Sequence, residues 1–138
     1  MSDIGLLVSA ISYHSDAAGF KNRPGLVIGE YRRDYLLAFI SKKVETYQDE
    51  PFSLLLTNEH LISGKLKHSS IVRSHKTYWA EKSRCKAIGR VKPELLDRIL
   101  RLNQAFHVRN YHEVAHAKQS FIPGKSRIPY AARVYDEK

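Results

Sequence analysis

The residues of this chain that could do chemistry on a phosphate ester fall in three short segments, 21–24, 41–43 and 70–75. Each segment combines arginine or lysine with a hydroxyl, amide or imidazole group. Arginine keeps its charge and offers a planar set of donors that matches a phosphate group. Serine can add an orienting hydrogen bond, and histidine can move a proton because its unperturbed pKa is about 6.5. We therefore treat the three segments as parts of one candidate site.

Four residues in these segments are the candidates for catalysis. Arg23 precedes Pro24, which restricts Arg23 to extended backbone and so gives its side chain a defined direction. Ser41 supplies a hydroxyl group beside two lysines. Arg73 and His75 would point to the same face of a strand, because side chains alternate along it. The residues expected to contact a nucleic-acid chain without reacting are Lys21, Lys42, Lys43 and Ser70.

RNA is the phosphate ester that such a set can cut without a metal ion. Its ribose 2′-hydroxyl can attack the neighbouring phosphate if a base accepts the hydroxyl proton and an acid protonates the leaving 5′-oxygen. Cationic donors must also steady the crowded phosphate. The segments thus predict metal-independent cleavage of single-stranded RNA, with no metal or other cofactor.

Charge and composition agree with a nucleic-acid ligand. The 138 residues include 23 Lys and Arg against 14 Asp and Glu, a net charge of +9 that favours binding to polyanions.

The length suits one folded domain with its own core. No apolar run approaches the roughly 18 residues of a membrane span. The start of the chain lacks the basic region of a signal peptide, and Cys85 alone cannot form a disulfide framework. These features predict a cytoplasmic protein without a membrane segment.

The first 90 residues contain short apolar runs separated by turns, which is typical of a small barrel or a strongly twisted antiparallel sheet. A polar, glycine-bearing stretch at 12–22 is expected to be a loop. The predicted strands lie at 4–8, 25–29, 35–40, 52–56, 70–73 and 77–79.

A helix is predicted to follow this sheet and to pack on it. Pro93 suits a first helical position and Glu94 the positive end of the helix dipole. Apolar residues then recur at helical spacing, namely Leu95, Leu96, Ile99, Leu100, Leu102 and Phe106. Residues 1–108 are therefore expected to form a β-rich α+β domain. Residues 109–138 are expected to form a short helix near 111–118 and a basic, mobile tail.

The order of five short motifs resembles the MazF/PemK toxins of toxin–antitoxin pairs. Asp3 to Val8 resembles the opening G-D-I-V-L-V strand of that family, and Lys21 to Ile28 resembles its K-x-R-P-x-L-V-I motif. Ile40 to Lys43 stands where the family has I-T-S after a strand. Leu66 to Arg73 is similar to its L-K-x-x-S-V-V-R segment. The last motif, Ile88 to Val91, resembles its I-G-x-L and precedes the helix.

The resemblance implies a fold and a role for several positions. It implies an SH3-like barrel with a C-terminal helix, and an endoribonuclease in which the arginine of R-P is catalytic, at Arg23. The threonine partner of that arginine corresponds to Ser41, and the V-V-R arginine to Arg73. Some members have an aspartate two residues after the V-V-R arginine, where this chain has His75. Some members also use a histidine in the loop before R-P; His14 lies in that region, but at a different spacing from the motif.

The resemblance also implies partners. The family acts as homodimers, each inhibited by a cognate antitoxin, so we expect a homodimer and an acidic, partly disordered antitoxin besides the single-stranded RNA substrate.

Two other functions compete with the nuclease. His112-Glu113-Val114-Ala115-His116 matches H-E-x-x-H, which on a helix presents two histidines to zinc with Glu113 as general base and would indicate a zinc peptidase. A weaker alternative is that His107, His112 and His116 bind zinc adventitiously, without catalysis. The departures at Ser41 and His75 would instead fit a non-catalytic, toxin-like module that binds nucleic acid or protein.

Overall fold

A computed structural model describes residues 2–13 and 20–108 and contains seven antiparallel strands and two helices. The strands are β1 (Leu6–Tyr13), β2 (Phe20–Tyr31), β3 (Asp34–Ser41), β4 (Ser53–Leu56), β5 (Leu61–Gly64), β6 (Ser70–Glu81) and β7 (Cys85–Val91). In the sheet they follow the order β4-β6-β3-β2-β1-β7-β5. The helices are α1 (Val44–Tyr47) and α2 (Pro93–Val108), and short 3-10 helices cover Asn58–His60 and Lys82–Arg84.

The two edges of the sheet are held close together by the chain itself. The edge strands β4 and β5 are consecutive, and only residues 57–60 join them. Because four extended residues span at most about 14 Å, the sheet has to curl until its edges approach each other. This curvature is that of a small barrel, and the predicted β-rich α+β fold with a C-terminal helix is confirmed.

Helix α2 covers the inner face of the curled sheet. Four of its residues are buried in the main core: Leu95, Ile99, Leu102 and Ala105. Burying each large aliphatic side chain contributes roughly 1.5–3 kcal/mol, so this face holds the helix on the sheet. Leu100, which the spacing assigned to the buried stripe, instead lies at the exposed edge of the helix.

Several element boundaries differ from the sequence-based prediction. The expected loop at 12–22 is shorter, because β1 runs to Tyr13 and β2 begins at Phe20, where these two residues pair. The predicted strands 70–73 and 77–79 are one long strand, β6, which is interrupted by a bulge. The predicted short helix at 111–118 and the basic tail lie outside the described residues. Among the described residues, no helix is long and apolar enough to cross a membrane.

Two glycines let β5 and β7 approach each other closely. Gly64 pairs with Gly89 and has a positive φ of 83°, a conformation that side chains disfavour. A Cβ on Gly64 would also overlap the carbonyl oxygen of Ile88 and the Cα of Gly89. The pairing that attaches the β5 edge to the sheet therefore requires glycine at this position.

We expect Gly64→Ala to lower the free energy of unfolding by about 2 kcal/mol, because it adds both strain and a backbone overlap. Chemical denaturation measures this loss. The matched control is Lys65→Ala, at the exposed neighbouring residue, which should stay within about 0.5 kcal/mol of wild type. Equal unfolding midpoints for the two variants would contradict the required close approach.

Candidate active site

A pocket opens where β2 and β3 part. The last pair between these strands joins Gly25 to Phe39. The preceding residue of β2 is Pro24, which has no N–H to donate to a ladder, so the pairing with β3 ends there. β1 still pairs with β2 through Ser9 and Pro24 and through Ala10 and Arg23, so Arg23 remains on regular extended backbone.

The pocket has a volume of about 560 Å³ and collects cations from β2, from β6 and from the β3–α1 turn. Among the residues that the structure describes, the lining includes five cationic side chains and no carboxylate. The described lining residues are Asn22, Arg23, Pro24, Phe39, Ile40, Ser41, Lys42, Lys43, Tyr47, Arg73 and Lys76. Three of the four predicted catalytic residues, Arg23, Ser41 and Arg73, thus meet in one cavity.

Arg73 is the cation whose geometry is most fully fixed. Its Nε and Nη2 donate to the two carboxylate oxygens of Glu50 at 2.8 and 2.9 Å. The guanidinium carbon also lies 4.0 Å from the centre of the Tyr47 ring, a cation–π contact. The hydrogen bonds that Arg73 donates to Glu50 raise the pKa of Arg73 further above its ordinary value, so Arg73 stays charged at every working pH.

The bulge in β6 determines where His75 lies. Phe39 pairs with Arg73, whereas the preceding residue of β3, Ala38, pairs with Thr77. Residues 74–76 are therefore extra on β6, and the regular alternation that predicted a shared face for Arg73 and His75 does not continue.

His75 is placed beside the pocket lining and not in it. Its ring packs against Phe52 and Phe106, each with a centroid distance of 5.6 Å. Its Nε2 lies 3.7 Å from the Oε2 of Glu50, and 13% of its side chain is exposed. The described contacts thus connect His75 to the pocket through Glu50 and Arg73.

Ser41 closes the other side of the pocket. Its Oγ accepts a hydrogen bond from the backbone N–H of Lys43 at 3.1 Å, which shapes the turn that follows β3. That turn exposes the side chains of Lys42 and Lys43. The hydroxyl hydrogen of Ser41 can still be donated to a bound oxygen, since the bond to Lys43 uses only a lone pair.

The other predicted residues are more dispersed. Lys21 lies in β2 opposite Ser12. Ser70 is buried at the start of β6, where its Oγ donates to the carbonyl of His68 at 3.1 Å, and it does not line the pocket. His14 and the H-E-x-x-H segment lie outside the described residues. Within 2–13 and 20–108, no three His, Cys, Asp or Glu side chains are grouped as metal ligands.

Four residues of the site were not identified from the sequence. Lys76 directly follows the predicted segment 70–75, and Asn22 lies inside the segment 21–24 but was not assigned a role there. Tyr47 and Glu50 lie in the stretch between β3 and β4, where no motif marks a functional residue. Only the three-dimensional contacts reveal them.

Opposing effects act on the carboxylate of Glu50. Burial by itself would raise the pKa of Glu50, but hydrogen bonds from Arg73 and Ser53, together with the charges of Arg73 and His75, lower it below its ordinary 4.5. A carboxyl group with a lowered pKa in the folded state stabilises the fold at neutral pH. That stabilisation is lost as the pH falls from about 4.5 through the lower folded value.

We expect the free energy of unfolding of the wild type to fall between about pH 5 and pH 3, and to fall less steeply in Glu50→Gln. Denaturant unfolding at several pH values measures both slopes. Glu45→Gln, which removes an exposed carboxylate from α1, is the control and should retain the wild-type slope. Parallel curves for wild type and Glu50→Gln would contradict the lowered pKa.

Comparison with known proteins adds information on the fold. No protein-family model matches the sequence, and no curated protein matches it either. Several solved structures do. A MazE–MazF complex from Deinococcus radiodurans is 18% identical with a TM-score of 0.58, and the match covers 78% of this chain and 96% of that one. The Mycobacterium tuberculosis toxin MazF-mt6 is 14% identical with a TM-score of 0.55, over 75% of this chain and 96% of that one.

A third structure is an endoribonuclease from a mycobacterial species in complex with its cognate antitoxin. It is 12% identical with a TM-score of 0.51, and the match covers 77% of this chain and 91% of that one. At such identities the likeness establishes the architecture. The described part of this chain has the fold of the MazF toxins.

Proposed function

We propose that this protein is a metal-independent endoribonuclease that cuts single-stranded RNA, and that it is the toxin of a toxin–antitoxin pair of the MazF/PemK family. The observation that carries the proposal is the pocket between β2 and β3, in which Arg23, Ser41 and Arg73 come together. These three residues are distant in the sequence, and the MazF-like fold brings them to one place.

The cationic lining suits a phosphodiester and its transition state. Five cationic side chains around one cavity attract the RNA backbone and offset the charge that develops on the phosphate during attack. Each arginine guanidinium can donate two parallel hydrogen bonds to phosphate oxygens, and the Ser41 hydroxyl can donate one more.

In the proposed reaction, the ribose 2′-oxygen forms a bond to the adjacent phosphorus while the bond from phosphorus to the 5′-oxygen breaks. The 2′-hydroxyl loses its proton to a base, and the leaving 5′-oxygen gains one from an acid. The products are a 2′,3′-cyclic phosphate and a 5′-hydroxyl end, so no water or metal ion is needed for this step. Arg23 and Arg73 hold the phosphate, with Ser41 donating to one of its oxygens.

His75 remains our prediction for the proton transfers. An imidazole can both accept and give a proton near neutral pH. Its contact with Glu50 supports this role, because the Oε2 that lies 3.7 Å from the His75 Nε2 also accepts from Arg73 and so connects the imidazole to the pocket. Because His75 lies beside the pocket lining and not in it, the pH dependence of cleavage is the measurement that tests this role.

The partners follow from the proposed family. The matching structures include complexes, among them a MazE–MazF pair and an endoribonuclease with its cognate antitoxin. We propose that an acidic antitoxin covers the cationic pocket of this chain, that the toxin acts as a homodimer, and that it meets messenger RNA in the cytoplasm. Lys21, Lys42 and Lys43 are proposed to contact the RNA backbone.

The decisive experiment is incubation of the purified protein with single-stranded RNA in the presence of EDTA. We expect cleavage to persist, with 2′,3′-cyclic phosphate ends, because the 2′-hydroxyl supplies the nucleophile. An oligonucleotide with 2′-deoxyribose at the cleavage position should remain intact. Salt-sensitive binding without cut ends would favour a binding module, whereas cleavage that EDTA abolishes would overturn the metal-independent mechanism.

A second prediction concerns Arg23. Arg23→Ala should reduce cleavage by about 100- to 1,000-fold, the usual cost of losing one donor to a transition state. Its unfolding free energy should change by less than about 0.5 kcal/mol, since no core packing is lost. Arg101→Ala removes the same charge from α2, outside the pocket lining, and should retain wild-type activity. Equal activities of the two variants would refute a special role for Arg23.

A further inference from the structure

We propose that Glu50 is a positioning residue of this pocket, which fixes the guanidinium of Arg73 so that its remaining donors serve a bound phosphate. The positioning is a structural claim, and its effect on RNA cleavage rests on the proposed function. Nothing in the sequence motifs or in the resemblance assigns a role to Glu50.

The hydrogen bonds between Arg73 and Glu50 leave a defined part of the guanidinium for a ligand. An arginine side chain carries five N–H donors. Glu50 accepts from Nε and from one hydrogen of Nη2. The other Nη2 hydrogen and both Nη1 hydrogens remain, and together they form the end of the fork that can bind a phosphate through two oxygens.

The ring of Tyr47 restricts Arg73 in the other direction. Glu50 fixes rotation of the guanidinium within its plane, while Tyr47 covers one face at 4.0 Å from its centroid. Arg73 itself stands on a central strand, paired with Phe39 on one side and Ser53 on the other. The backbone, the carboxylate and the ring therefore leave this side chain little freedom, which lowers the entropic cost of binding a phosphate.

Glu50 is itself held in place by short contacts on the chain between α1 and β4. Its backbone N–H donates to the carbonyl of Tyr47 at 3.0 Å, and its own carbonyl accepts from the N–H of Ser53 at 3.3 Å. The Ser53 Oγ donates to Oε1 at 3.0 Å. A carboxylate that is fixed at both its backbone and its head can position a partner, whereas a freely rotating one could not.

Glu50 also links Arg73 to His75. The same carboxylate that binds Arg73 has its Oε2 3.7 Å from the His75 Nε2. One negative charge thus faces two cation-forming side chains, one lining the pocket and one behind it. Some members of the family have an aspartate at the position of His75. In this chain the carboxylate beside Arg73 is instead Glu50, which comes from the α1–β4 connection.

The test uses three variants of the full chain: Glu50→Gln, Arg73→Lys and the double variant. Glu50→Gln keeps the size of the side chain but removes the charge, and Arg73→Lys keeps the charge but cannot form the two-pronged pair. The control is Asp49→Asn, at the exposed residue next to Glu50. Circular dichroism and thermal unfolding confirm that each variant is folded.

The first readout is the side-chain Nε–H signal of Arg73 in nitrogen-15 NMR, assigned by its absence in Arg73→Lys. We expect a sharp signal at neutral pH in the wild type and in Asp49→Asn, and a signal broadened by exchange with water in Glu50→Gln. This readout does not depend on RNA cleavage. A sharp Arg73 signal in folded Glu50→Gln would overturn the positioning role.

The second readout is cleavage kinetics. Glu50→Gln should lower kcat by about 10- to 100-fold while KM stays near the wild-type value, as expected for a misplaced catalytic group. The double variant should lose no more than Arg73→Lys alone, because Glu50 acts through Arg73. Losses that multiply in the double variant would contradict this coupling. If the wild type leaves RNA intact, the proposed function fails, and the Arg73 signal alone decides whether Glu50 positions Arg73.

Discussion

The absence of one backbone donor, at Pro24, underlies the organisation of the candidate site. Pairing between β2 and β3 ends at Gly25 and Phe39, and beyond that point the two strands diverge. Because β1 continues to pair with β2 through Arg23, the divergence leaves β2 regular and opens space only on the side of β3. A pocket is thereby formed where the β2–β3 pairing ends, with Arg23 on a regular strand and Lys42 and Lys43 on the turn after β3.

The charges around this pocket are arranged unevenly. Arg73 is tied to Glu50 and Tyr47, whereas Lys42 and Lys43 project from an exposed turn. A half-buried ion pair contributes little net stability, because the loss of hydration offsets much of the attraction. Its benefit lies in geometry, since a guanidinium held in one orientation can donate to two oxygens of the same phosphate reproducibly. The exposed lysines can attract and follow a flexible chain.

The bulge in β6 and the helix α2 stabilise each other. Asn103 of α2 donates from Nδ2 to the carbonyl of Ser74 at 2.8 Å, and the N–H of Ser74 donates to the carbonyl of Phe52 at 2.9 Å. The backbone N–H and carbonyl of Ser74 are therefore both hydrogen-bonded although this residue has left the β3 ladder. The helix that buries the core also holds His75 against Phe106, so the packing of the domain and the environment of this imidazole are coupled.

The sequence by itself determined the fold class, the position of α2 and five residues of the pocket lining. Apolar runs of strand length and the later helical spacing follow from local chemistry, and the proline after Arg23 fixes its backbone whatever the rest of the chain does. The ends of the strands were predicted less accurately, because pairing with a neighbouring strand extends a strand through polar residues such as Ser12 and Asn22.

Tertiary structure alone decided which charged residues act together. The bulge at 74–76 breaks the alternation that local sequence implies for His75. The hydrogen bonds that hold it come from Phe52, just before β4, and from Asn103 of α2, both far along the chain. Glu50 lies 23 residues from Arg73, and no periodicity connects them. A carboxylate gains its role only from the cation that the folded sheet brings beside it, and the proximity of two side chains is a property of strand register, which a single stretch of sequence does not encode.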